Sequence, residues 1–212
     1  MKNLLYILLF VPLFFVSSCE EEGPIHGCLD SQAFNYNPEA WIDNNSCEYA
    51  IVGTYAQGGI VFYVDQTGGH GLVVATEDLG QFNWGCLGEF VDGADGTSIG
   101  TGYQNTLDIV NYGCTNTALY GDMMAAQAAL DAEINGYSDW YLPSIDELIE
   151  IYNTVGHGSP DGNIAGFQNT HFWSSSEHPS DNDLVWVFRF NNNSAFTVPK
   201  NFTYMALVIR SF

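Results

Sequence analysis

The chain is 212 residues long and carries 25 acidic against 4 basic side chains, a formal net charge of −21. That charge opposes binding to nucleic acid, sulfated glycans and anionic lipid, because all three would be repelled. The 46% hydrophobic and 15% aromatic content excludes a disordered acidic tail and supports a packed core.

Residues 1–18 read as a signal peptide: Lys2, an apolar run from Leu4 to Val16, then Val16-Ser17-Ser18 before Cys19. The run is too short and too close to the start for a membrane span. The small residues before Cys19 resemble a bacterial lipoprotein cleavage site, which makes Cys19 the lipidated first residue and the membrane a partner through that anchor. Residues 19–26 form an acidic tether. Its Glu20-Glu21-Glu22 is similar to the export signal of surface-exposed Bacteroidetes lipoproteins, so the expected location is the outer membrane, facing outward.

With Cys19 lipidated, Cys28, Cys47, Cys86 and Cys114 remain. Four cysteines allow three pairings. The local one, Cys28 with Cys47 and Cys86 with Cys114, fits the layout best, each bridge contributing roughly 3 kcal/mol. The zinc alternative lacks any C-x-x-C pair. Residues 27–49, GCLDSQAFNYNPEAWIDNNSCEY, resemble a short Cys-bounded repeat of secreted Bacteroidetes proteins. A unit this small buries too little to stand without a bridge. Asp30, Asn35, Asn37, Asp43 and Asn45 supply oxygens of the kind calcium binds, and they are equally turn formers. The main domain is expected over 53–212, with 50–57 leading into it.

Ile60 to Val64 and Leu72 to Thr76, separated by Asp65-Gln66-Thr67-Gly68-Gly69-His70-Gly71, predict a β-hairpin. Gln81 to Tyr112 is Gly-rich without a period and reads as a long ordered loop pinned by Cys86 and Cys114. Gly100-x-Gly102 lacks the lysine of a phosphate loop. Leu119, Met123, Ala126, Leu130 and Ile134 recur at helical steps, predicting a first helix over Tyr120 to Ile134 with Met123 and Met124 as core filler. The organising stretch follows, GYSDWYLPSIDELIEIY from Gly136 to Tyr152. Pro143 holds Leu142 extended. Ser144 and Glu147 form a capping box, and a second helix is predicted from Ser144 to Val155. His157 to Gly166 is turn-rich. Strands are predicted at Phe172-Trp173, Leu184 to Phe190, Ser194 to Val198 and Met205 to Arg210. In the second of these, Trp186, Phe188 and Phe190 oppose Val185, Val187 and Arg189.

GYSDWYLPSIDEL, with GGIVFYV, HGLVVA, NWGC, IGTGYQNT and FWSSSE, resembles the domain named for the C-terminal part of the Legionella collagen-like adhesin. The WYLPS core is also similar to the helix start of formylglycine-generating and related C-type-lectin-like domains. The resemblance implies an α+β, C-type-lectin-like fold with two helices, mostly antiparallel strands and long loops, its last strand lying beside the first hairpin. The family pattern ends V-R-A-V-R, whereas this chain has Ala206-Leu207-Val208-Ile209-Arg210.

Catalytic signals are weak. The five histidines form no H-x-x-x-H pair and read as surface or turn residues. There is no G-x-S-x-G. Ser174-Ser175-Ser176 reads as a strand edge. Asp146, Glu147 and Glu150 complement the dipole of the second helix. No catalytic residue, metal ligand or cofactor is assigned. In lectin-like domains the late loops carry the ligand, and here they hold Trp173, Glu177, Asp181, Asn182, Asp183, Trp186, Asn191, Asn192, Asn193 and Tyr204, with His178 beside them. Aromatics with amides and carboxylates suit sugars, peptides or protein surfaces. Asp181-Asn182-Asp183 is a further calcium candidate without the E-P-N or W-N-D triplets of sugar-binding lectins. The reading is a surface lipoprotein acting in adhesion or ligand binding, not an enzyme. The adhesin resemblance implies a glycosaminoglycan ligand. The charge favours a neutral glycan, a cationic peptide or another surface protein. The alternatives are a structural envelope module and, remotely, an enzyme of the formylglycine-generating type.

Overall fold

A computed structural model describes residues 23–114 and 123–212. The signal peptide, Cys19 and its acidic triplet lie outside the described residues, as do the first residues of the helix expected from Tyr120. Two short strands, β1 (His26–Gly27) and β2 (Ile42–Asp43), pair in parallel within the Cys-bounded segment. Cys28 is bonded to Cys47 there, with Cα atoms 4.8 Å apart. The oxygens offered for calcium also accept hydrogen bonds within the segment. Asp30 accepts from the Gln32 N–H and the Tyr49 hydroxyl, Asn37 from the Glu39 N–H, and Asp43 from the Asn45 N–H.

A four-stranded antiparallel sheet runs β11-β5-β4-β3, built from β3 (Tyr55–Ala56), β4 (Gly59–Val64), β5 (Gly71–Val74) and β11 (Ile209–Ser211). Strand β3 lies in the stretch read as a lead-in. Gln57 and Gly58 both have positive φ, 52° and 84°, which makes the two-residue β3–β4 connection a primed turn. The expected β4–β5 hairpin forms, and β11 pairs along β5 with Arg210 opposite Val73. The domain's last strand therefore lies beside its first hairpin.

The second sheet has the order β6-β10-β7-β8-β9. Its strands are β6 (Gln81–Asn83), β7 (His171–Glu177), β8 (Leu184–Arg189), β9 (Ser194–Pro199) and β10 (Thr203–Met205). It is antiparallel except where β10 meets β7. The serine run lies inside β7, the central strand, and all three serines are buried, so it is not a strand edge. Its hydroxyls are committed: Ser174 donates to the Trp186 carbonyl, and Ser176 donates to Gly96 and accepts from the Ile145 N–H.

The described residues contain three helices, not two: α1 (Gly102–Tyr112), α2 (Ala125–Leu130) and α3 (Ile145–Thr154). Two corrections follow. The expected loop over 81–112 holds β6 and α1. The first expected helix is, in its described part, only 125–130, and Met123 is exposed while Met124 is buried. Helix α1 escapes a periodicity search because its inward stripe is half polar: Gly102, Asn105, Thr106 and Ile109. Thr106 donates to the Gly102 carbonyl and accepts from the Leu142 N–H, at 2.7 and 3.1 Å. A buried polar group with both bonds made is tolerated where an apolar one is expected. Cys86, beside β6, is bonded to Cys114 just past Gly113, whose φ of 71° ends α1.

The Trp140–Ser144 segment ties these pieces together. Tyr141 exchanges two 2.9 Å backbone bonds with Ile209 of β11. Leu142 bonds α1 through Thr106. The Pro143 carbonyl accepts from Ser175 of β7 at 2.8 Å. Ser144 then caps α3 and accepts from the Glu147 N–H, while Glu147 accepts from the Ser144 N–H at 2.6 Å. Trp140, Tyr141 and Leu142 are all buried. Alternation along the strands feeds two apolar clusters. Val61, Val73, Trp173 and Val187 enter one, and Phe62, Val74, Phe172 and Phe188 enter the other with Leu148 and Ile151 of α3.

Candidate functional site

The ten residues expected to face a ligand do not converge. Trp173 is fully buried, its indole N–H donating to the Phe82 carbonyl at 2.7 Å. Glu177 is buried at the end of β7. Strand alternation puts Trp186 on the face opposite Tyr204, where it is half-buried and 6.2 Å from the His178 ring. Asp181 and Asp183 are exposed in the β7–β8 turn, with the Asp181 carboxylate accepting from the Asp183 N–H. Asn182 donates to the Gly88 carbonyl at 2.7 Å. Asn191, Asn192 and Asn193 are exposed in the β8–β9 turn. Those two turns stand at opposite ends of the six-residue β8, about 20 Å apart at the usual strand rise.

Glu177 serves the core. Its carboxylate accepts from the Lys200 ammonium and from the Val91 N–H. Lys200 is fully buried, donates also to the Glu89 and Cys86 carbonyls, and lies 4.9 Å from the Trp84 ring centre. Burial pushes the Glu177 carboxyl up and the Lys200 ammonium down, and their mutual attraction opposes both shifts. Glu147 is buried too, its carboxyl pushed up by burial, and it accepts from the Ser144 and Gly100 N–H groups. Each of these carboxylates is a structural centre with its partners in place.

An open cleft of about 500 Å³ is lined by Tyr63, His70, Ile99 and Phe212. Two of its polar residues are engaged: Asp65 closes a turn on Thr67 and Gly68, and His70 meets the Phe212 carbonyl.

The second face of the five-stranded sheet reaches solvent at the end where His171 begins β7. Register places His171 opposite Arg189 and Arg189 opposite Ser194. Tyr204 of β10 stacks on His171 with ring centres 5.0 Å apart and planes 25° apart. Phe196 meets His171 edge-on at 5.8 Å, and the Arg189 guanidinium lies 5.2 Å over the Phe196 ring. The Arg189 Nε donates to His171 Nε2 at 2.7 Å. Phe202 extends the row past Tyr204 and is 45% exposed. Burial, then Arg189, holds the His171 pKa below its ordinary value.

Of this cluster only Tyr204 was among the expected ligand residues. The strand alternation did put Arg189 on the Val185 and Val187 face. Its scarcity was the available signal, because a chain with 4 basic residues leaves each one to be accounted for. His171, expected in a turn or on the surface, sits half-buried in a strand.

The model of the Lcl C-terminal domain family matches residues 97–210, more than half of the chain. The chain belongs to that family. Within the match lie α1, the Trp140–Ser144 segment, α3 and the strands β7 to β10. A comparison with curated proteins returns no match. Among solved structures, a fimbrial protein from Bacteroides ovatus ATCC 8483 is similar at 17% identity with a TM-score of 0.48. The similarity covers 81% of this chain and 46% of that one; the chain thus spans less than half of that protein's length. Among the described residues of this Lcl-family chain, no helix is long and apolar enough to cross a membrane, and no three His, Cys, Asp or Glu side chains are grouped to hold a metal ion.

Proposed function

We propose that this Lcl-family chain is an exported surface lipoprotein, divided as 19–26, 27–49 and 53–212 after its signal, whose C-type-lectin-like domain captures a ligand in adhesion. The Tyr204, His171, Phe196 and Phe202 cluster carries the reading. Four ring side chains gather at one solvent-reaching end of the five-stranded sheet, in which Phe172, Trp173 and Phe188 are buried. Phe202 is exposed and the other three rings are half-buried, and rigid aromatic groups that reach solvent together are suited to binding. The chain is read as non-enzymatic, since its buried carboxylates are engaged in holding the fold. A glycan array probed with the mature chain tests the reading. Binding that Tyr204→Ala and Phe202→Ala weaken together, with the fold intact by circular dichroism, is expected; binding indifferent to both moves the site elsewhere. Metabolic labelling with a fatty-acid analogue tests the anchor, and Cys19→Ser should abolish it.

The structural envelope reading draws on the burial of Trp173 and Glu177, two residues expected at a ligand surface. A failure of every glycan, peptide and surface-protein probe to bind would favour it.

A further inference from the structure

Three basic side chains lie among the described residues, and two are paired: Lys200 with Glu177, and Arg210 with Asp139. Arg189 has no carboxylate partner among the described residues. Its Nε is engaged by His171 and one face of its guanidinium by Phe196, while its two terminal nitrogens have no acceptor among the described residues. The bond from Arg189 also sets the tautomer of His171. An arginine Nε always donates, so Nε2 of the neutral ring accepts and Nδ1 carries the hydrogen. That Nδ1–H likewise has no partner among the described residues. The site therefore offers hydrogen-bond donors held beside an aromatic platform.

We infer that this face binds a saccharide carrying a single carboxylate, with the Arg189 fork on the acid and the sugar ring against Tyr204 and Phe202. The inference rests on the ligand-capture reading and names its chemistry. A guanidinium fork matches a carboxylate in geometry as well as charge. Half-burial beside Phe196 strengthens that attraction over its value in open water. The aromatic row supplies a flat apolar surface for the ring, and the exposed amides of Asn191 to Asn193, at the same end of β8, suit its hydroxyls. The charge of −21 limits the ligand to one acid. A polyanion would gain at one fork and be repelled by the rest of the surface.

The test is calorimetric titration of the mature chain with a glucuronic-acid-terminated oligosaccharide and with its methyl ester, which has the same ring and no charge. The acid should bind about tenfold more tightly than the ester. Arg189→Gln should erase that preference while leaving the thermal midpoint near that of the parent. Equal affinity for acid and ester overturns the carboxylate assignment and leaves ligand capture standing. No binding of either overturns the acidic-saccharide assignment, and ligand capture then stands or falls on the glycan array. Sedimentation on the same samples adds a further outcome: a dimer that Arg189→Gln dissociates would make the occupant a carboxylate of a second copy, and the saccharide assignment would fall.

Discussion

Glu147 and Glu177 are both buried carboxylates, and they are satisfied by different means. Glu147 sits at the start of α3 and accepts from backbone N–H groups of Ser144 and Gly100. Glu177 sits at the end of β7 and accepts from the ammonium of Lys200 and the N–H of Val91. The first uses the partial charges of backbone N–H groups, one at the α3 terminus and one in the loop before α1, without desolvating a second ion. The second requires a lysine to be buried with it, at a desolvation penalty that the ion pair must offset. The contrast separates a locally organised centre from one assembled by the sheet.

The sharpest way to break the comparison is Lys200→Met. It strands Glu177 in the core, and breaking one side of a buried pair costs about 3–5 kcal/mol. Guanidinium unfolding should show that loss, and Glu177→Leu added to it should restore most of the stability. If Lys200→Met costs under 1 kcal/mol, Glu177 is held neutral and the pairing is not what stabilises it. Next in size is the bridge beside this centre. Replacing Cys86 and Cys114 by serine opens a 28-residue separation, and chain entropy gives about 3.5 kcal/mol for that loop.

Glu147→Ala leaves the buried Ser144 N–H without its acceptor and removes the bond from the Gly100 N–H, at about 2–3 kcal/mol. Its protonation sharpens the contrast further. Burial raises the folded-state pKa of Glu147, so between the ordinary carboxyl value and that raised value the folded state binds the extra proton. Stability should fall as pH rises through this window. Asp139, which Arg210 holds below its ordinary value, has the opposite sign: its contribution is present at neutral pH and lost as pH falls through the lowered value. Glu147→Gln should therefore flatten the slope above the ordinary carboxyl range, about pH 4.3, without touching the acid limb. An unchanged slope would mean that the backbone donors already keep Glu147 ionised.

The same contrast explains what the sequence revealed. Ser144 and Glu147 are three residues apart, so their mutual capping was legible, and so was the helix behind them. The β4–β5 hairpin carried its turn residues in one short run. Lys200 and Glu177 are 23 residues apart and meet only because β7 and β9 flank β8. No local pattern announces such a partner. Helix α1 was hidden for a related reason. Its inward Asn105 and Thr106 look polar in sequence and are buried because distant groups bond to them. The expected ligand residues are late polar and aromatic positions. Strand alternation then sent Trp173 inward and separated Trp186 from Tyr204, an outcome that depends on what covers each face. The family's terminal arginine, Arg210, holds Asp139 and lies 4.0 Å over the Tyr137 ring, so this end of the chain keeps a structural cation although the earlier arginine of the pattern is absent.

The smallest expected effect lies in the Cys28–Cys47 segment, where no buried ion is at stake. Trp41 is 81% exposed there, although its backbone N–H bonds the Ile25 carbonyl at 2.9 Å. A side chain outside the core contributes little to folding, so Trp41→Ser should change stability by no more than about 0.5 kcal/mol. The backbone bond survives the substitution, and the disulfide still closes the segment. Trp84, Trp140 and Trp173 are buried and Trp186 is half-buried, so acrylamide quenching of native fluorescence should fall sharply in this variant. A loss of stability near 2 kcal/mol would show that Trp41 is covered in solution, and that this segment has a packing partner of its own.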